Sequence, residues 1–209
     1  MEWELPLAVD KCSWMLISNR SNITSHIDTA KAEQRLYLVK KNFSSCDDHA
    51  LIIAFKSYVI PLLEYCSPVW SPIFVTDIIR IESIQRSFTK SLKLCNSLSY
   101  KDRLIKCDLY SLECRRLVAD LTLLYKNINK LIDVCLGDSI KPLVSITRGH
   151  SRRFMIPPAR INTRLHFFAT RSIKIWNCLK EETVISLSVV CLKKTLLAED
   201  LTKFLVLGF

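Results

Sequence analysis

Two proline pairs four residues apart, Ser67-Pro68 and Ser71-Pro72, constrain this chain more than any other feature. Proline cannot donate a backbone hydrogen bond and pushes its predecessor out of the helical region, so the pairs force a corner. Helical patterning enters and leaves that corner. Tyr58, Val59, Leu62 and Leu63 end one helix, and Trp70 places a large apolar ring on the bend. Thr76 has the chemistry of an N-cap, because its hydroxyl can accept an orphan amide. Ile78, Ile81, Ile84, Phe88 and Leu92 then recur at helical spacing over 76–94, while Arg86, Lys90 and Lys93 recur on another face with Arg80 nearby.

The rest of the composition suits helices. Three glycines in 209 residues disfavour a turn-dense β fold or a phosphate-cradling loop. A net charge of +10 points to an anionic partner, with nucleic acid first and an anionic membrane surface second. The nine cysteines are odd in number and contain no C-x-x-C pair, so a disulfide framework is disfavoured. Most lie among apolar neighbours, which predicts buried free thiols and a reducing compartment. No apolar run reaches the roughly 20 residues that a membrane span needs. The expected location is intracellular, nuclear or cytoplasmic, and not secreted, which leaves the acceptor pattern Asn22-Ile23-Thr24 without a role.

In chain order, residues 1–17 alternate (Trp3, Leu5 and Leu7, then Trp14 and Leu16, around Asp10-Lys11), predicting a β-hairpin. A helix is expected from Asp28 to Phe43. A second, from Asp48 to Tyr65, is apolar on nearly every side and is expected to be the most buried. Ser99-x-x-Asp102 resembles a capping box opening a helix to Lys106, and Ser111 caps another from Leu112 to about Leu131. Gly137 and Pro142 mark a linker. Residues 147–176 carry Arg148, Arg152, Arg153, Arg160, Arg164, Arg171 and Lys174 without one acidic residue. Helices are expected at 165–179 and from Ser188 to about Leu205.

Several of these words, in this order, resemble the region just after the catalytic palm in reverse transcriptases of jockey-like non-LTR retrotransposons. They are Leu63-Glu64-Tyr65, Trp70-Ser71-Pro72, Ile81-x-x-Ile84-x-Arg86, Leu98-Ser99-Tyr100-Lys101-Asp102-Arg103-Leu104, and Ser111-Leu112-Glu113-x-Arg115-Arg116. Further matches are Asp120-Leu121, Tyr125-Lys126, Thr147-Arg148-Gly149-His150, Phe167-Phe168 and Trp176-Asn177-x-Leu179. The resemblance implies that residues 1–20 are the last strands of a palm whose remainder is missing. It also implies that a hairpin normally found near residues 19–27 is deleted, and that a helical thumb follows. The intact enzyme of that family uses magnesium held by palm carboxylates.

No such carboxylate maps onto this chain. Its one Asp-Asp pair, Asp47-Asp48, is followed by an apolar helix and reads as a helix cap. Cys46-x-x-His49 is half a zinc site without a second half. Arg115 and Arg116 are expected to bridge to Glu113 and Asp120, and His150 and His166 to face phosphate or solvent. There is no metal expectation, no cofactor of its own and no nucleotide-phosphate loop. The candidate nucleic-acid-binding residues are Arg80, Arg86, Lys90 and Lys93 on one helix, and Arg148, Arg152, Arg153, Arg160 and Arg164 in the basic segment. In that segment Phe154, Phe167 and Phe168 are offered for stacking on bases.

The expected fold is therefore mainly α. It comprises a small N-terminal β-hairpin remnant (1–20), a helical thumb-like bundle (28–132), a basic linker (133–164) and a two-helix C-terminal segment (165–209). The expected function is that of a reverse-transcriptase thumb and C-terminal fragment gripping an RNA–DNA hybrid or DNA duplex backbone. Its partners are nucleic acid and the missing palm and fingers, not a membrane, and it has no polymerase activity by itself. The alternatives are a stand-alone basic helical nucleic-acid-binding module, or a degenerate retroelement reading frame without function.

Overall fold

The computed structural model describes residues 24–43, 45–132, 140–143 and 149–209. The described chain is mainly helical: α1 (Thr24–Asn42), α2 (Asp48–Tyr58), α3 (Ile60–Glu64), α4 (Ser67–Trp70), α5 (Val75–Lys90), α6 (Tyr100–Lys106) and α7 (Leu112–Ile128). There follow α8 (Asn162–Leu165), α9 (Phe168–Trp176), α10 (Glu181–Val184) and α11 (Val189–Ala198), with 3-10 turns at Lys93–Cys95 and Thr202–Phe204. The one β pairing among the described residues is an isolated antiparallel bridge between Pro142 and Phe154.

Residues 24–112 close around a first apolar cluster. Phe55 of α2 and Phe88 of α5 stack at its centre, ring centroids 4.0 Å apart and both fully buried. The Asp48 carboxylate accepts from the Leu94 amide at 2.6 Å, which places the start of α2 beside the chain leaving α5. The two helices therefore run antiparallel. The Lys40 ammonium donates to the Ser87 carbonyl at 3.3 Å, bringing the end of α1 to the same end of α5. Each fully buried phenylalanine contributes roughly 1.5–3 kcal/mol by leaving water, so this stack is a principal reason α2 and α5 stay together.

α7 passes from the first cluster into a second. Leu112, at its start, packs with the first group, and its amide donates to the Glu82 carboxylate of α5 at 3.0 Å. One turn on, Leu117, Leu121 and Leu124 turn toward α9 and α11. Trp176 is the largest fully buried side chain there, and its indole N–H donates to the Arg152 carbonyl at 2.9 Å. The Asn177 amide clasps the Phe154 backbone from both sides, donating to its carbonyl at 2.8 Å and accepting its N–H at 3.0 Å. The extended stretch through Pro157-Pro158 is thus strung along α9 rather than hanging free.

Arg171 ties the halves together. Its guanidinium donates to both Asp120 carboxylate oxygens (2.7 and 3.1 Å), to the His166 carbonyl (2.9 Å) and to the Pro68 carbonyl on the corner (2.6 Å). Arg115 pairs in two-pronged fashion with Glu64. The expected local pairing of Arg115 and Arg116 with Glu113 and Asp120 is therefore incorrect. Glu113 instead accepts the Val206 and Leu207 amides (2.6 and 3.0 Å), and Asp120 belongs to Arg171.

The mainly helical class agrees with the sequence; other expectations are corrected. The 48–65 helix breaks at Val59, before Pro61, and is not the most buried: Ile53 and Tyr58 are 51% and 54% exposed. Thr76 is not the N-cap of α5. Phe74 occupies that position without a side-chain bond, because the helix starts at Val75. The corner is a single helical turn, α4, entered through Cys66 in a left-handed conformation (φ 51°). The 165–179 helix is divided at His166 and Phe167 into α8 and α9. Among the described residues the cysteines are also mostly not buried: Cys46, Cys66, Cys178 and Cys191 are exposed and Cys114 is half-buried, while Cys95 and Cys107 are buried. The hairpin expected at 1–20 lies outside the described residues.

Candidate nucleic-acid interface

The outward stripe of α5 runs through Arg80, Ser83, Ser87 and Lys90, all exposed and spaced three or four residues apart. Lys40 joins it from α1, its ammonium lying over Ser87 at 3.3 Å from the carbonyl and 3.4 Å from the hydroxyl. Lys90, one turn beyond Ser87, therefore shares a surface with a cation from another helix. Partial burial lowers the Lys40 pKa from its ordinary value. Its periodicity in 28–43 marks Lys40 as a solvent-face lysine; only the parallel packing of α1 on α5 brings it to Ser87. Lys93 is exposed, but it sits on the 3-10 turn after α5 rather than on the helical stripe.

Arg86 leaves the outward stripe altogether. Its guanidinium lies 4.8 Å from the Tyr100 ring centre and 5.0 Å from that of Phe209, over two rings that meet edge to face. Beneath them Glu82 is completely buried, accepting from the Tyr100 hydroxyl and the Leu112 amide. Burial raises the Glu82 pKa, against the opposing pull of the Tyr100 hydrogen bond and the Arg116 charge. Arg116 is itself buried, 3% exposed, and is the internal counter-charge of this group. Arg86 thus stabilises the α5–α6 contact through its rings.

In the C-terminal segment Arg152, Arg160 and Arg164 are exposed and Arg153 is half-buried. Arg164 lies over the exposed Phe167 ring at 5.6 Å, a cation–aromatic pair on the surface. Phe154 and Phe168 are not available for stacking on bases, because both are buried in the second cluster. His150 does not face solvent. It is buried, its Nε2 is 2.9 Å from the Trp176 carbonyl, and its ring stands edge-on to that indole. Arg148 lies outside the described residues.

Asp47 caps α2 by accepting the Ala50 amide at 3.0 Å, and Asp48 is engaged with Leu94. The cap read from the sequence is thus present at Asp47. Among the described residues no three His, Cys, Asp or Glu side chains gather as metal ligands would, and no described helix is long and apolar enough to cross a membrane. A cleft of about 350 Å³, lined mainly by apolar groups including Leu104, Ile105, Cys114 and Leu201, opens between α6 and α11. Comparison with protein-family models, curated proteins and solved structures finds no match for this chain.

Proposed function

We propose that the chain is a thumb-type nucleic-acid-gripping element, a fragment of a non-LTR retrotransposon reverse transcriptase that holds a template–primer duplex by its phosphates. The observation that carries this reading is the surface built by α1 and α5, where Lys40 is held over Ser87 and Lys90 follows one turn later. Cations presented along a helix suit a phosphate backbone, and such contacts position a duplex without reading its sequence. Arg152, Arg160 and the Arg164–Phe167 pair supply a second basic surface. The fragment itself adds no nucleotides. In support of this reading, Asp47 caps α2 and Asp48 bonds the turn after α5, so both serve the fold.

The test is binding of purified protein to a fluorescent RNA–DNA hybrid across a salt series. Affinity is expected to fall steeply with salt, with each lost phosphate contact reducing the log–log slope by about 0.9. Lys40→Ala with Lys90→Ala flattens the slope by nearly two such contacts, and Arg152→Ala with Arg164→Ala flattens it further. Absence of binding by the folded protein at low salt refutes the proposal. Nucleotide incorporation on a primed template with magnesium refutes its second half.

A further inference from the structure

Cys95 ends the 3-10 turn after α5, and Cys107 follows the last residue of α6. Their sulfurs stand 3.3 Å apart, and the side chains are only 2% and 3% exposed. Nothing in nucleic-acid binding uses them. The approach comes from folding, not from sequence proximity: α6 and its capping Ser99 fold the intervening residues into a loop that returns to its own start. A disulfide has an S–S bond of about 2.05 Å, so closing this pair requires a displacement on the order of 1 Å.

We propose that Cys95 and Cys107 form a reversible redox site that closes into a disulfide, fastening the end of α6 to the turn following α5. The turn that follows Cys107 is open to solvent. Asp108, next to Cys107, has a left-handed backbone (φ 49°) and a side chain that is 93% exposed, tethered by Lys56 at 3.4 Å. A small opening of that turn admits a co-reactant. With a low-molecular-weight disulfide such as oxidised glutathione, the thiolate of one cysteine attacks a glutathione sulfur, breaks its S–S bond and expels one glutathione thiolate. The second cysteine's thiolate then attacks the protein sulfur of the mixed disulfide and expels the other. Two protein thiols are oxidised, one small disulfide is reduced to two thiols, and the two cysteine protons end on the departing thiolates. Burial, followed by the hydrogen bond and charge of Cys95, pushes the Cys107 thiol up to about 12. The thiolate is therefore scarce at neutral pH, and closure is slow there and faster in mild alkali.

The experiment treats the folded full chain with oxidised glutathione at pH 7 and pH 9, blocks remaining thiols, and digests with trypsin without reduction. A Cys114→Ser variant removes the other cysteine from the tryptic peptide that carries Cys107. The expected product is a cross-link between the 94–101 and 107–115 peptides, forming faster at pH 9 and removed by dithiothreitol. Oxidation is expected to raise the melting temperature by about 5 °C through loop closure, and Cys95→Ser abolishes that rise. The proposal is overturned if both cysteines are recovered fully blocked as single thiols, or if Cys107 is recovered joined only to other cysteines. A cross-link that forms only in denaturant, with no thermal shift, overturns it equally.

Discussion

Replacing Arg171 by methionine keeps the aliphatic stem and deletes the guanidinium. The Asp120 carboxylate, 5% exposed, then loses both of its donors, and the Pro68 and His166 carbonyls lose theirs. Breaking a buried ion pair by removing one partner costs about 3–5 kcal/mol. The Arg171 side chain is 19% exposed, so water can re-enter from its side, and the lower end, about 3 kcal/mol, is expected. Urea denaturation at pH 7, followed by tryptophan fluorescence, measures it. Its pH dependence is diagnostic. Burial raises the Asp120 pKa, while Arg171 pulls it down by hydrogen bond and charge. Deleting Arg171 removes that pull, so the folded value rises further above the unfolded one. A group shifted upward contributes its stability below the unfolded pKa and loses it as pH rises through the folded one. The variant's deficit is therefore largest near neutrality and shrinks as pH falls toward the ordinary aspartate range, where the carboxyl protonates. Asp120→Asn in the same background recovers part of it at pH 7. A deficit below about 1 kcal/mol, or one independent of pH, refutes the reasoning.

Asp47→Ala removes the α2 cap and is expected to cost about 1 kcal/mol, measured as a shift in urea midpoint, with hybrid binding unchanged. Phe88→Ala deletes one member of the fully buried stack with Phe55 and is expected to cost about 3–5 kcal/mol; calorimetry reads it, and a loss under 1 kcal/mol would show that the first cluster refills the space.

What the sequence made legible was local. Ser99 and Ser111 accept the Asp102 and Cys114 amides as caps, because capping depends on residues three positions away. The apolar stripe of α5 was readable for the same reason: periodicity reports which face turns inward. It does not report what comes to meet the other faces. Arg86 repeats in register with Lys90, yet the rings of Tyr100 and Phe209 cover it from elsewhere in the chain. Asp120 looked like a helical neighbour for Arg116 and is claimed by Arg171, while Lys40 gains its place only when α1 lies along α5. His150 shows the same limit, since the indole and carbonyl that enclose it belong to Trp176.

The passage of α7 from one cluster to the other has a consequence for synthesis. As the chain leaves the ribosome, residues 24–112 bring together all of the first cluster's buried residues, with only Phe209 still to pack against them. Leu117, Leu121 and Leu124 emerge attached to it, but their covering residues, from Phe154 to Leu201, are still to be made. For that interval a nascent chain carries an uncovered leucine row, the kind of transient surface that invites aggregation or a chaperone. Arg171 arrives late in that interval and fastens the late half to Pro68, a corner made 103 residues earlier.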